Sequence, residues 1–181
     1  MALNYIEGDL FAGVKKALLD PELSVFIPHI CNNKGGWGAG FVIPLGKNYP
    51  LAREAYREWD EENSYCFVPK YKKLEFALGV TQALDVEKRV VVFNMVAQKG
   101  FGPGRAVRYN ALVSCMDSVY EYIKDFIKPQ IHAPMFGAGL GGGNWEIIEQ
   151  LVMDSWVEKG VETNIYYLPG TLPSNWKPTE K

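Results

Sequence analysis

Cysteine, histidine and long apolar runs are all scarce in this sequence, and each scarcity excludes a class of protein. The 181 residues include three cysteines, with no CxxC pair, and two histidines. An odd cysteine count fits a reducing compartment, and two histidines without a ligand-spaced cluster predict no metal site. No run of about 20 apolar residues is present, and Glu7 and Asp9 lie close to the amino terminus. We therefore expect no membrane span, no signal peptide and a cytoplasmic protein.

Net charge is also small. Lysine and arginine number 19 against 21 aspartates and glutamates, which gives a formal charge of −2. A chain that binds nucleic acid stably needs a concentrated positive surface, so we expect no such binding here. The basic run at residues 70–73 (KYKK) is typical of a solvated surface. Composition and length predict one globular domain, and the oligomeric state stays open.

Strands and helices alternate along the chain, judged by apolar periodicity and turn residues. The predicted strands are Leu3–Ile6, Ser24–Ile30, Leu74–Ala83, Arg89–Val96, Gln130–Met135 and Glu162–Leu168. The predicted helices are Leu10–Leu19, Phe41–Tyr49, Leu51–Trp59, Val107–Ile127 and Asn144–Lys159. This alternation is typical of an α/β fold with a largely parallel central sheet and helices on both faces. We assign residues 1–170 to this domain and residues 171–181 to an extended tail.

Two glycine-rich segments, each between a predicted strand and a predicted helix, carry the strongest chemical signal. They are Pro28–Phe41 (PHICNNKGGWGAGF) and Phe136–Trp145 (FGAGLGGGNW). A backbone with almost no Cβ atoms can approach a ligand closely, and its N–H groups can face an anion. In a parallel sheet such loops meet at the carboxyl ends of the strands, where we also place His29 and Asn94. Two loops there predict a ligand whose diphosphate is held from both sides, whereas either loop alone fits a tight turn equally well.

The second segment also matches the dinucleotide pattern G-x-G-x-x-G, through Gly137, Gly139 and Gly142. A Rossmann half needs two further strands after this loop, with an acidic residue closing the next one. One strand is predicted to follow, and Glu162 begins it instead of ending it. We therefore disfavour nicotinamide chemistry and predict no cofactor.

Three blocks in order resemble the macro domain: Gly8–Phe11 after the first strand, His29–Phe41, and Phe136–Trp145. The likeness covers nearly the whole chain. Within that family the first glycine segment is most similar to the yeast-type ADP-ribose-1″-phosphate phosphatases, and less similar to the branch that removes ADP-ribose from glutamate. The resemblance implies a three-layer α/β/α fold with a mixed, mostly parallel sheet. It also implies binding of ADP-ribose and hydrolysis of ADP-ribose-1″-phosphate to ADP-ribose and phosphate.

The resemblance also implies a set of ligand-binding residues. Asp9 would accept a hydrogen bond from the adenine amino group beside the Leu10 N–H, although an Asp there also fits a helix N-cap. Tyr166 or Tyr167 could stack on adenine or serve as core residues. Asn32 would face the distal ribose. The remaining ligand-binding residues, mostly glycines that would cradle the diphosphate, are Asn33, Gly36, Trp37, Gly38, Ala39, Gly40, Gly137, Ala138, Gly139, Leu140 and Gly141.

Our candidates for catalysis are His29, Asn32, Asn94 and Lys99. An unperturbed histidine titrates near neutrality, so His29 could act as general base, general acid or phosphorylated nucleophile; the alternative is a core histidine. Asn94 could orient a water or a ribose hydroxyl, since an amide inside an apolar strand needs partners. Lys99 could pair with the terminal phosphate, or be an ordinary surface lysine. We assign His132 to the structure.

One position departs from the ester-cleaving branch of the family, which uses a lysine together with an aspartate in the second glycine loop. Gly141 stands where that aspartate is expected, and no aspartate lies between Phe136 and Met153. This argues against a lysyl route. A non-catalytic reader of free or protein-linked ADP-ribose remains one alternative. A hydrolase that removes ADP-ribose from protein or nucleic acid by another route is the second.

Overall fold

The computed structural model describes residues 2–62, 74–102, 104, 106–174 and 176–178. Its strands are β1 (Leu3–Glu7), β2 (Leu23–Asn32), β3 (Thr81–Glu87), β4 (Val90–Gln98), β5 (Lys128–Pro134) and β6 (Glu162–Tyr167). Its helices are α1 (Leu10–Ala17), α2 (Val42–Asn48), α3 (Pro50–Glu62), α4 (Tyr109–Ile123) and α5 (Trp145–Val152), and α5 continues as a π-helical turn, Met153–Val157. None of the helices in these ranges is long and apolar enough to cross a membrane. Cys66 and the basic run at residues 70–73 lie outside the described residues.

The strands form one sheet in the order β1-β6-β5-β2-β4-β3, with helices on both faces. All neighbours pair in parallel except β3, which runs antiparallel to β4 at one edge. Val25 of β2 and Tyr56 of α3 belong to the core on one face, with residues of α1 and α2. Phe26 of β2 and Leu112 of α4 belong to the core on the other face, with residues of α5. The predicted three-layer α/β/α fold with a mixed, mostly parallel sheet is confirmed.

The central strand β2 pairs with β4 on one side and with β5 on the other. Because helices cover both of its faces, it is an almost continuous apolar run. We expected His29 and Asn94 at the carboxyl ends of their strands, and this is wrong. Strand β2 continues to Asn32 and β4 to Gln98, so His29 and Asn94 lie directly opposite each other within the sheet.

Two predicted boundaries also need correction. The strand predicted over Leu74–Ala83 begins only at Thr81, because Gly79, with a φ of 90°, turns the chain just before it. Helix α4, predicted over Val107–Ile127, covers Tyr109–Ile123. The Val107 backbone forms an antiparallel bridge with Gln98 instead of a helical turn. This bridge holds the start of α4 against the end of β4, beside the second glycine loop.

The chain after β6 packs back onto the domain. Trp176 is 9% exposed, and its ring centre lies 4.7 Å from that of Tyr5 and 6.4 Å from that of Trp145. Trp145 Nε1 donates to the Tyr5 hydroxyl at 3.0 Å, and that hydroxyl donates to the Glu149 carboxylate. The described part of residues 171–178 contains no helix or strand, and the Trp176 N–H donates to the Pro173 carbonyl at 3.0 Å. Since Trp176 is a core residue, however, the core reaches beyond residue 170.

We predict that Trp176→Ala lowers the free energy of unfolding by about 3 kcal/mol, because it leaves a cavity between aromatic rings. Equilibrium urea unfolding measures this difference. The exposed neighbour Lys177 offers a matched control, and Lys177→Ala should change stability by less than about 0.5 kcal/mol. Equal stability of Trp176→Ala and the wild type would show instead that the domain ends before the tail.

Candidate functional site

A cleft opens at the carboxyl ends of β2, β5 and β6 and consists of two adjoining cavities. The first has a volume of about 580 Å³ and the second of about 260 Å³. Residues that line both are Gly40, Phe41, Pro134, Met135 and Gly139. The volume of the two cavities together falls in the size range of small-molecule sites.

The first cavity lies between the start of α1 and the segment that follows β6. Asp9 ends the turn after β1, and its side chain caps α1 by accepting the Phe11 N–H at 3.0 Å. The ring of Phe11 stacks on that of Phe41 with their centres 5.9 Å apart. Tyr166 and Tyr167, at the end of β6, also line this cavity. Asp9 contributes an exposed carboxylate to an otherwise largely apolar lining. The N-cap interpretation of Asp9 is confirmed, and it leaves the second carboxylate oxygen outside the cap.

The two glycine loops meet over the second cavity. A Cβ atom at Gly40 would lie 3.5 Å from Leu140, which shows how closely the loops approach. The second loop is closed on itself by hydrogen bonds from Gly142 N to Gly139 O at 3.1 Å and from Gly143 N to Gly137 O at 2.7 Å. Gly137 has a φ of 81°, a conformation that glycine adopts readily. The loop is therefore built to keep its backbone, and not its side chains, at the cavity wall.

The structure explains why Gly141 is not an aspartate. A Cβ atom there would lie 2.7 Å from Val107 Cγ2, 3.1 Å from the Gly137 carbonyl oxygen and 3.3 Å from Gln98 Oε1. The Gly141 carbonyl also accepts hydrogen bonds from Ala106 N at 3.0 Å and Val107 N at 3.2 Å. A side chain at this position would displace the segment that leads into α4.

His29 lines the second cavity but is only 2% exposed. Its Nε2 lies 2.5 Å from Asn94 Oδ1, and its ring packs edge-on against Trp37, with centres 5.5 Å apart. Burial lowers the pKa of His29 to about 4, because the charged imidazolium would lose its water. The expected titration near neutrality is therefore wrong, and His29 is neutral at pH 7.

Asn94 is fully buried and lines neither cavity. Its Nδ2 donates to the Ala52 carbonyl at 3.0 Å and to Gln82 Oε1 at 2.9 Å, while its Oδ1 faces His29. These bonds occupy both amide hydrogens. The catalytic role of Asn94 stays a prediction, and the geometry favours a role in holding His29.

Asn32 and Asn33 organise the loops around the cavity. Asn32 Oδ1 accepts from Lys34 N at 2.9 Å and from Gly36 N at 3.0 Å, and its Nδ2 donates to Gly36 O at 2.9 Å. Asn33 Oδ1 accepts from Gly100 N at 2.8 Å and so ties the first glycine loop to the segment after β4. The N–H of Gly36, expected to face a diphosphate, is thus bonded within its own loop.

The structure brings together the predicted residues Asp9, Leu10, His29, Ala39, Gly40, Gly137, Ala138, Gly139, Leu140 and Gly141 along the two cavities. It leaves Asn32, Asn33, Gly36, Trp37, Gly38, Asn94 and Lys99 outside both linings. Lys99 is exposed, and Trp37 is buried beneath the first loop. Within the described ranges, no group of three or more His, Cys, Asp or Glu side chains is placed to hold a metal ion.

Sequence reasoning missed Gln98, whose side chain lines the second cavity beside Gly141. Its Nε2 donates to the Gly100 carbonyl at 3.1 Å, which holds the amide in place. A polar residue that ends the most apolar strand in the chain was the available signal. Among the described side chains that line this cavity, His29 and Gln98 are the polar ones, and neither is charged at pH 7.

Comparison with known proteins identifies the family. No family model matches the chain. The structure of a macrodomain protein from Streptomyces coelicolor is similar, with a TM-score of 0.73 and 31% identity over 92% of this chain and 99% of that chain. The chain therefore belongs to the macrodomain family. Thermosipho africanus DarTG, solved in complex with ADP-ribose, shares the fold at 13% identity and a TM-score of 0.60, over 93% of this chain and 53% of that one.

Two curated relatives also match. An uncharacterised 17.5 kDa protein of Enterobacteria phage T4 is 32% identical over 169 residues, which are 88% of this chain and 92% of that protein. An ADP-ribose 1″-phosphate phosphatase of Meyerozyma guilliermondii is 39% identical over 56 residues, which are 31% of this chain and 29% of that protein. The short second match agrees with the macrodomain family but does not establish the phosphatase branch.

We predict that Gly141→Ala lowers the free energy of unfolding by about 1–3 kcal/mol, because the new methyl group overlaps Val107 and the Gly137 carbonyl. Thermal or urea unfolding measures the loss. Gly139 in the same loop is the matched control, since a Cβ there meets nothing within 4 Å. Gly139→Ala should fold with wild-type stability, and an equal loss in both variants would contradict this account of Gly141.

Proposed function

We propose that the cleft binds ADP-ribose and that the protein hydrolyses ADP-ribose-1″-phosphate to ADP-ribose and inorganic phosphate. The observation that carries the proposal is the arrangement of the cleft. An apolar cavity with one carboxylate adjoins a cavity bounded by two glycine loops, and an imidazole lines the far part. Membership of the macrodomain family and the partial match to a phosphatase support it.

In this proposal adenine occupies the first cavity. The rings of Phe11, Phe41 and Tyr166 offer apolar surface to a nucleobase, and Asp9 offers an acceptor for its amino group. The diphosphate then lies where the cavities join, beside Gly40 and Gly139, which line both. Backbone N–H groups can hold phosphate oxygens there without a charged side chain.

The distal ribose and its phosphate occupy the second cavity, where His29 and Gln98 supply the polar side chains. A neutral imidazole has a lone pair that can attack phosphorus or accept a proton from water. Backbone N–H groups of the glycine loops would stabilise the charge that develops on the phosphate oxygens. Water supplies the oxygen that ends on inorganic phosphate and gives up one proton to the imidazole. The bond between phosphorus and the ribose oxygen breaks, and that oxygen takes a proton from solvent, which the imidazole replaces when it releases its own.

A second candidate function is a reader that binds ADP-ribose without turnover. It is favoured by the lack of any charged side chain among the described residues that line the second cavity. Hydrolysis of another ADP-ribosyl bond, on protein or nucleic acid, is the third candidate. The reader and this hydrolase can be separated because only the hydrolase releases ADP-ribose from a modified macromolecule.

We predict that Asp9→Ser weakens binding of ADP-ribose by roughly tenfold or more, while stability stays unchanged. Serine replaces aspartate well as an N-cap of α1, but its hydroxyl is too short to reach a nucleobase in the cavity. Isothermal titration calorimetry gives the affinity and urea unfolding the stability. Asp9→Asn, which keeps both length and an acceptor oxygen, is the control and should bind more tightly than Asp9→Ser. Wild-type affinity in Asp9→Ser would remove adenine from this cavity.

We predict that His29→Ala lowers phosphate release from ADP-ribose-1″-phosphate by roughly 100-fold or more, with ADP-ribose affinity changed far less. Phosphate release and calorimetry are measured on the same sample. His132, which lines neither cavity, is the matched control, and His132→Gln should keep its turnover. Binding without release in the wild type supports the reader, and failure to bind ADP-ribose at all would overturn the whole assignment.

A further inference from the structure

Three buried polar side chains lie in one row across neighbouring strands. His29 of β2 is aligned with Asn94 of β4, and Asn94 is aligned with Gln82 of β3. His29 is 2% exposed, and the other two are fully buried. Each group in such a row needs a hydrogen-bond partner from within the protein, because an unpaired buried amide or imidazole costs free energy.

The row ends on two backbone carbonyls of α3. Gln82 Nε2 lies 3.0 Å from the Ala55 carbonyl oxygen, and Asn94 Nδ2 lies 3.0 Å from the Ala52 carbonyl oxygen. A carbonyl can accept a hydrogen bond but cannot donate one. Both side-chain atoms that face α3 must therefore be amide nitrogens, which fixes the orientation of both amides.

The direction of the remaining bonds follows. With its nitrogen turned to α3, Gln82 presents Oε1 to the second hydrogen of Asn94 Nδ2, at 2.9 Å. Asn94 then has only its Oδ1 to offer His29, 2.5 Å from Nε2. Two acceptors cannot share a hydrogen bond, so the proton between them belongs to Nε2 of His29.

We propose that Asn94 and Gln82 are positioning residues, which hold His29 with its proton on Nε2 and leave the lone pair on Nδ1. The tautomer itself follows from the hydrogen-bond row alone. Its use in turnover rests on the proposed function, where the lone pair of the neutral imidazole attacks phosphorus or takes a proton from water; with the proton on Nε2, that lone pair belongs to Nδ1. Through this row, the carbonyls of α3 determine which nitrogen of His29 carries the proton, although His29 itself belongs to β2.

The surroundings of His29 favour the neutral ring that this tautomer requires. Trp37 and Phe41 pack against the imidazole, with ring centres 5.5 Å and 5.9 Å away. Cys31 Sγ lies 3.8 Å from Nε2 and 4.0 Å from Nδ1, and burial holds the pKa of that thiol well above its usual range, so no thiolate stabilises an imidazolium. Among the groups described around the ring, no carboxylate faces it.

The other histidine lacks such a constraint. His132 Nδ1 lies 2.9 Å from the Tyr166 hydroxyl, and its Nε2 lies 3.0 Å from the side-chain amide of Gln130. A hydroxyl can donate or accept, and an amide can turn either end toward the ring, so both tautomers satisfy these partners. Only the hydrogen bonds of His29 lead to backbone carbonyls, which can accept but not donate. His29 therefore has one fixed tautomer and His132 does not, and this difference can be measured.

The test is two-bond ¹H–¹⁵N correlation spectroscopy of protein labelled at histidine, recorded on the full chain at pH 7.5. The sequence contains only two histidines, and His132→Gln assigns their signals. We expect one protonated nitrogen, Nε2, and one unprotonated nitrogen, Nδ1, for His29. A proton on Nδ1 of His29 would overturn the proposal, whatever the protein binds or cleaves.

Two variants then test the row. Asn94→Asp places a carboxylate against Nε2, so we expect both nitrogens of His29 to be protonated at pH 7.5. Gln82→Met removes one of the two acceptors that orient Asn94 and leaves the Ala52 carbonyl as the other, so we expect a minor fraction of the tautomer protonated on Nδ1 to appear. In Asn94→Asp kcat for phosphate release should fall by roughly tenfold or more, and in Gln82→Met it should fall by less, with KM changed less than about twofold in both.

Gln130→Met is the matched control, since it makes the same change at the glutamine beside His132. It should alter the His132 signals and leave the His29 signals and kcat at their wild-type values. An unchanged His29 tautomer and rate in Gln82→Met would remove Gln82 from the row. If the wild type shows the expected tautomer and binds ADP-ribose but releases no phosphate, the proposed hydrolysis fails while the tautomer assignment stands.

Discussion

A hydrogen bond between His29 and Asn94 crosses from β2 to β4 inside the sheet, where both side chains are shielded from solvent. Neither group could be buried alone, because burying an unpaired imidazole or amide destabilises the fold by more free energy than its apolar contacts contribute. The pair therefore requires that β2 and β4 keep their register and that β3 and α3 supply the next partners. The architecture beneath the cleft follows from satisfying this one bond.

The burial of His29 also determines the charge of the side chains that line the second cavity. An imidazole packed under Trp37 and Phe41 has a pKa of about 4 and is neutral at pH 7. With Gln98 as its polar neighbour, the second cavity holds no charged side chain among its described lining residues. Under the proposed function, backbone N–H groups would bind the anion there, and glycine-rich loops can present such groups without side chains in the way. The position of Gly141 against Val107 shows that the loop has no space for an acidic side chain at residue 141.

The order of strands and helices, the helix break at Pro50, the N-cap at Asp9 and the two glycine loops could all be predicted, because each depends on residues near in sequence. His29 lines the second cavity, and its role there stays a prediction. Its lowered pKa and the position of Asn94 beneath the cleft could not be predicted from residues near in sequence. Gln98 was missed because nothing local distinguishes a polar residue that ends a strand at a cavity from one that ends it in solvent. The start of α4 was misplaced because a bridge to Gln98 competes with the first helical turn.

Local sequence was sufficient to establish an α/β chain of low net charge, with two glycine loops that resemble those of a macro domain. Periodicity, turn chemistry and composition act over a few residues, and they can be evaluated without knowing the fold. Tertiary structure alone decided which polar residues reach the cleft, the pKa of His29, and the inclusion of Trp176 in the core. These properties arise from contacts between segments far apart in the chain, since burial and hydrogen-bond direction are set by whichever neighbours the fold brings together.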